Sequence, residues 1–325
     1  MKSESWLNQA LAAEPAAPSL GIWSLYFELG KPRLSTLVVI TTFAGFMLAG
    51  PEIFHPGLLF WTLVGTACAA LGANSFNQWR EAALDARMER TRRRPLPMGQ
   101  LSPRHALMWS WSVSLTGVVI LALFVNGLTA FLGALNILIY VLVYTPLKRV
   151  SSLCTLAGAV CGAIPPLMGW SAATGGLEYG AWLLAATLFV WQIPHFLSLA
   201  WLYREDYARG GFRMLPVTDP SGRVTCPLIV LYTLALVPVG LAFFLGGLSG
   251  YFFLFTSFLL GLSFLYLGLR LFWRRTEANA RRVFFASLIY LPLFMGFLVI
   301  DQSLPSPHAR GLQVSEWQAK LEPLG

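Results

Sequence analysis

Asn77, Glu81 and Asp85 stand four residues apart within NSFNQWREAALDARMERTRRR, residues 74–94. On a helix each four-residue step turns the side chain by only about 40°, so the three polar groups share one face. Two stacked carboxylates repel each other unless a cation sits between them. Hard oxygen donors in this arrangement suit Mg²⁺, which is commonly held by one or two carboxylates together with phosphate oxygens of a substrate. An NxxxExxxD pattern is also an ordinary solvated helix end, so its neighbours decide.

A second stretch, WQIPHFLSLAWLYREDYARGG, carries Gln192, His195 and Asp206. If one helix runs through it, His195 and Asp206 fall on nearly the same stripe, and Asp206 becomes a second Mg²⁺ ligand. Pro194 should kink this helix and Gly210-Gly211 should end it. His195 is the histidine well inside an apolar run. Such a group either packs against a satisfied partner or lines a pocket. A third stripe, Asn136, Tyr140, Tyr144 and Lys148, leads down one apolar run to a lysine. That lysine reads either as a phosphate contact or as a snorkelling side chain beneath interfacial tyrosines. Lys31-Pro32-Arg33 reads the same way. Arg92, Arg93 and Arg94 would attract an anionic diphosphate or carboxylates.

These residues must be positioned by membrane spans. The chain is 56% hydrophobic and only 12% charged, whereas soluble domains carry about 25% charged residues. Apolar runs long enough to cross a bilayer lie at about 34–50, 57–79, 105–124, 127–145, 153–172, 180–201, 225–246, 249–270 and 283–300. The predicted fold is therefore an all-α, polytopic membrane protein. Residues 1–30 form an N-terminal inner-face segment, which includes an interfacial turn at Trp23–Leu29. A nine-helix domain covers 31–300, and an outer-face tail covers 301–325. With nine spans, all but Arg310 and Lys320 of the 23 lysines and arginines fall on one face. The positive-inside rule makes that face the inner one, with the N-terminus inside and the C-terminus outside. The net charge of +8 thus reflects topology rather than nucleic-acid binding. The N-terminus has neither a signal-peptide core nor an Arg-rich presequence, which favours a bacterial inner (plasma) membrane over the mitochondrial one. Cys68, Cys154, Cys161 and Cys226 lack metal or disulfide spacing and read as small apolar fillers. The long inner-face loops, 80–104 and 202–224, are where chemistry is expected.

Acidic groups, scattered cations and an apolar interior at one membrane face suit an amphiphile with an anionic head, such as a prenyl diphosphate. Mg²⁺ would offset charge building on the diphosphate as the allylic C–O bond breaks. NSFNQWREAALDARMERTRRRPLPMGQLSP, KPRLSTLVVITTFAGFMLA, YTPLKR, GAIPPLMGW and WQIPHFLSLAWLYREDYARGGFRMLPV resemble motifs of the UbiA-type intramembrane prenyltransferases. Over residues 25–300, PHF, REDYxRGG and MLPV are similar to the branch that prenylates haem rather than quinones.

The resemblance implies a helical bundle around a central cavity open to the inner, cytoplasmic face. It implies farnesyl transfer from farnesyl diphosphate to a vinyl group of haem b, with Mg²⁺ as cofactor, membrane lipid around the protein and the downstream haem A synthase as a partner. Carried over by position, Asn77, Glu81, Asp85 and Asp206 hold Mg²⁺-diphosphate. Lys31, Arg33, Arg94, Tyr144, Lys148, Tyr203, Arg204 and Tyr207 contact substrate, and His195 faces the haem. Glu81 departs from the aspartate of many relatives and reaches one methylene further. Tyr203 and Tyr207 stand where quinone-type relatives place carboxylates. Two alternatives stay open: an aromatic prenyltransferase for a quinone or chlorin acceptor, and a multi-span transporter, against which the weak internal symmetry argues.

Overall fold

The computed structural model describes residues 21–50 and 54–304. The N-terminal segment up to residue 20, with Lys2, and the tail from 305, with Arg310 and Lys320, lie outside the described residues. Among the described residues the chain forms helices and no strands. α1 (Ile22–Leu29) buries Leu25 and Leu29 and exposes Trp23 and Phe27, as an interfacial helix should. α2 (Pro32–Leu48) is the short apolar helix. Eight further helical segments are long and apolar enough to span a membrane, so the expected nine includes α2.

α3 (Pro56–Asp85) runs 30 residues without a break and pairs extensively with α4 (Pro103–Phe124). It carries the apolar run directly into the polar face, so Asn77, Glu81 and Asp85 do share one helix. α5 (Gly127–Leu138) passes into a π-helical segment, Ile139–Tyr144, before the short turn Thr145–Leu147. The wider π turn carries the polar stripe that regular four-residue steps had suggested, and π segments are often found at functional sites. α6 (Cys154–Thr174) is the most buried span. It approaches α2 closely because a Cβ on Gly45 would collide with the Pro166 carbonyl, and one on Gly169 with that of Thr42. Small residues permit such backbone contact where lipid supplies little hydrophobic drive between helices.

α7 (Tyr179–Leu202) contains Pro194 without interruption. It ends at Tyr203 (φ −111°, ψ 22°), earlier than Gly210-Gly211 had suggested, and α8 (Arg204–Arg209) follows as a separate turn. The expectation that His195 and Asp206 lie on one helical stripe is therefore corrected: Tyr203 leaves helical geometry between them. α9 (Leu215–Thr218) leads to α10 (Thr225–Ala235) and α11 (Val239–Leu245). The latter pair makes one apolar run, Thr225–Leu245, as expected at 225–246, interrupted at 236–238 because Pro238 lacks the amide hydrogen that would continue the helix. α12 (Tyr251–Trp273) and α13 (Glu277–Gln302) complete the bundle. Leu115, Leu123, Phe255 and Leu259 point outward, as a lipid-facing surface requires, while Ser, Thr, Asn and carboxylate side chains are buried among a larger apolar core.

Candidate active site

The polar end of α3 forms one wall of a cavity of about 740 Å³. Lys31, Arg33, Glu81, Asp85, Arg94, Tyr144, Lys148, His195 and Tyr207 all line it. Its cations are arranged around α3's carboxylates. Lys148 Nζ reaches Glu81 at 2.8 Å and 3.1 Å and lies 4.6 Å from the centre of the Tyr144 ring. Arg94 Nη1 donates to Asp85 Oδ2 at 2.6 Å. Lys31 Nζ donates to Asn77 Oδ1, and Asn77 Nδ2 in turn donates to Thr145 Oγ1 at 3.0 Å. Asn77 thus holds the wall from behind rather than lining the cavity.

Lys31 is the one non-glycine residue with positive φ (49°) among the described residues. The left-handed region is strained for such a side chain and recurs at functional sites. The turn that enforces it is pinned by Gln78, whose Nε2 donates to the Glu28 and Leu29 carbonyls at 2.9 Å and 3.0 Å. Burial first, then the charges of Arg94 and Lys148, pushes the Lys31 ammonium well below its ordinary pKa range. An arriving anion would relieve that.

Three buried polar atoms on the cavity wall have no hydrogen-bond partner among the described residues: Asp85 Oδ1, Gln78 Oε1 and Thr155 Oγ1. Asp85 and Gln78 lie two turns apart on α3, flanking Glu81. Orphaned buried oxygens are costly unless a ligand completes them. Among the described residues no three His, Cys, Asp or Glu side chains gather closely enough to hold a metal alone. A divalent ion bound by these hard oxygens would therefore need further oxygens from its substrate, which is the usual habit of Mg²⁺. The donor set fits that ion. Gln78 was missed in the sequence because the four-residue spacing pointed to Asn77; only the carbonyls fixing its amide nitrogen reveal where its oxygen is presented.

Deeper in the bundle, an apolar chamber of about 160 Å³ is lined by Val38, Thr66, Ala69, Ala70, Ala73, Ile137 and Met168. It shares Leu34, Tyr140, Tyr144 and Phe196 with the charged cavity. The Tyr140 hydroxyl donates to Asn74 Oδ1 at 3.1 Å, and its ring lies 5.1 Å from that of Tyr144. These rings mark the boundary between the charged cavity and the apolar chamber.

The second acidic group sits elsewhere. Asp206 Oδ1 accepts from the Glu89 amide and from Arg209, each at 2.8 Å, and Oδ2 from the Arg90 amide at 3.3 Å. Although burial works against it, the Arg209 and backbone hydrogen bonds hold its carboxyl below the usual carboxylate range. Asp206, Tyr203 and Arg204 line a neighbouring pocket of about 390 Å³. There Arg204 stacks on Trp201 at 5.1 Å. Arg90 borders both pockets and lies over the Tyr203 and Tyr207 rings at 5.5 Å and 5.8 Å. Asp206 thereby ties loop 80–104 to loop 202–224. His195 lines the cavity while its Nδ1 meets Ser287 Oγ at 2.8 Å, its ring stacked near Trp191 and Phe284.

An all-helical membrane bundle with this two-part site is an intramembrane enzyme for an amphiphile, and the chain belongs to the UbiA prenyltransferase family, which matches residues 38–295. Among its relatives, the protohaem IX farnesyltransferase of Solibacter usitatus (strain Ellin6076) is 44% identical over 286 residues, covering 85% of this chain and 98% of that protein. The mitochondrial protohaem IX farnesyltransferase of Homo sapiens is 44% identical over 280 residues; the match covers 86% of this chain but only 62% of the longer human protein. The fold is shared with solved structures at low identity. A digeranylgeranylglyceryl phosphate synthase has a TM-score of 0.74 at 15% identity, covering 86% of this chain and 98% of that one. A UbiA homologue from Archaeoglobus fulgidus bound to GPP and Mg²⁺ has a TM-score of 0.65 at 13% identity, covering 85% and 99%.

Proposed function

We propose that this chain transfers the farnesyl group of farnesyl diphosphate to a vinyl group of haem b, yielding haem O and diphosphate. The observation that carries the reading is the junction of a cation-lined cavity and an apolar chamber at Tyr140, Tyr144 and Phe196, in a chain closely similar to protohaem IX farnesyltransferases. The diphosphate occupies the cavity, and the farnesyl tail passes the junction and reaches into the chamber. Gln78, Glu81 and Asp85, with Asn77 behind them, would hold Mg²⁺, which when bound offsets charge on the diphosphate.

The remaining steps belong to the protein. Lys31, Arg94 and Lys148 exchange their side-chain partners for diphosphate oxygens and stabilise the charge that builds as the allylic C–O bond lengthens. The Tyr144 and Phe196 rings shield the electron-poor allylic carbon from water. The vinyl terminus then forms the new C–C bond, water adds its oxygen to the resulting cation, and a proton leaves. His195, fixed by Ser287, lines the haem side. Asp206 holds the two loops together over the site, and Arg204 supports that contact from Trp201.

In this reading the basic face is the inner one, the membrane is a bacterial inner membrane, and the product passes to a haem A synthase. Purified protein in lipid discs, given haem b, farnesyl diphosphate and Mg²⁺, should form a more hydrophobic haem on reversed-phase chromatography. No such product with haem b, but a prenylated benzoate or naphthoate instead, would refute the acceptor.

A further inference from the structure

Beside the reaction cavity lies a second concavity of about 460 Å³, bordered by Arg80, Glu81, Thr145, Arg149, Gly211 and Arg213. Its one carboxylate, Glu81, is already engaged by Lys148. The Arg149 and Arg213 guanidinium groups have no partner among the described residues, and Arg80 donates only to the Val141 carbonyl, at 3.2 Å. Membrane topology explains why basic residues lie on this face; it does not explain why three converge on one hollow.

The hollow is joined to the reaction cavity. Glu81 lines both. Thr145 Oγ1 accepts at 3.0 Å from Asn77, which backs the wall of the reaction cavity, and the Arg213 amide donates to the Lys148 carbonyl at 2.7 Å. The Glu81–Lys148 pair is thus the partition between them. An anion leaving Lys148 meets unpaired guanidinium groups on the other side, and the guanidinium fork suits phosphate oxygens.

We propose that Arg80, Arg149 and Arg213 form a second anion site that receives the departing diphosphate, a proposal that rests on the prenyl-transfer reading above. A phospholipid headgroup offers the same phosphate chemistry, so the test separates the two sources.

Inorganic diphosphate with Mg²⁺ is titrated calorimetrically into the full chain in phosphatidylcholine discs. Wild type should bind two equivalents. Arg149→Gln alone should weaken the second by roughly tenfold, one charge-assisted contact's worth. Arg149→Gln with Arg213→Gln should leave one equivalent at unchanged affinity. One equivalent in wild type, or two in the double variant, overturns the site. Repetition in phosphatidylglycerol discs should retain the second equivalent; its loss there assigns the hollow to a lipid headgroup and overturns the exit role. Farnesyl transfer measured on the same discs separates this proposal from the reaction. Transfer with a single equivalent removes the second site alone, whereas two equivalents without transfer remove the reaction and leave an anion site.

Discussion

Lys148→Met removes the cation from a buried pair. Its Nζ lies 2.8 Å from Glu81 Oε1, and the two side chains are 12% and 5% exposed. With so little solvent to screen it, the stranded Glu81 carboxylate should cost about 3–5 kcal/mol. For a chain of this size that corresponds to a fall in melting temperature on the order of 5–10 °C. Glu81→Met added to Lys148→Met replaces the pair with apolar volume and should recover most of that loss. Turnover should behave differently. Removing one preorganised charge from a developing anion costs about 10²–10³-fold in rate, and the double variant also lacks one of the proposed metal ligands. Melting in detergent and initial rates of haem farnesylation, measured on all three proteins, separate the effects. A double variant as unstable as the single one would refute the buried-pair argument. Recovery of turnover together with stability would remove both residues from the chemistry.

Other expectations follow from single groups. Asp85→Asn keeps shape but removes the charge beside the orphaned oxygen; turnover should fall by at least roughly a hundredfold, and added Mg²⁺ should no longer raise the melting temperature. Ala73→Phe fills the apolar chamber, so the rate with farnesyl diphosphate should fall more than that with dimethylallyl diphosphate; equal losses would place the tail elsewhere. Asp206→Asn should speed hydrogen exchange of the Glu89 and Arg90 amides, whose carboxylate partner is weakened. Because the Asp206 carboxyl is held below its ordinary pKa, its stabilisation is present above about pH 4. It is lost as pH falls through the lower folded-state value. The variant should lack that part of the acid dependence, and an unchanged acid limb of the melting curve would contradict the assignment.

Much of this architecture was legible because membrane insertion imposes a simple rule: apolar runs had to be helices. The spacing of Glu81 and Asp85 was readable for the same reason, since α3 carries the helical period unbroken into the polar loop. The second site was harder. One residue outside helical geometry, Tyr203, separates Asp206 from the stripe of His195, and no periodicity reveals such a break. Nor did Gln78 stand out, because its role depends on carbonyls of the α1–α2 turn almost fifty residues away in the chain. The left-handed Lys31 is equally silent in sequence, where glycine or asparagine would be the expected signals.

The central claim is that one substrate spans both compartments. A cryo-electron microscopy map of the protein with Mg²⁺ and a non-hydrolysable farnesyl thiodiphosphate tests it most directly. The account predicts the phosphorus density among Lys31, Arg94 and Lys148, with the tail passing Tyr140 and Tyr144 toward Thr66 and Met168. A tail running outward between the helices into lipid, or a head group bound away from α3, would contradict it.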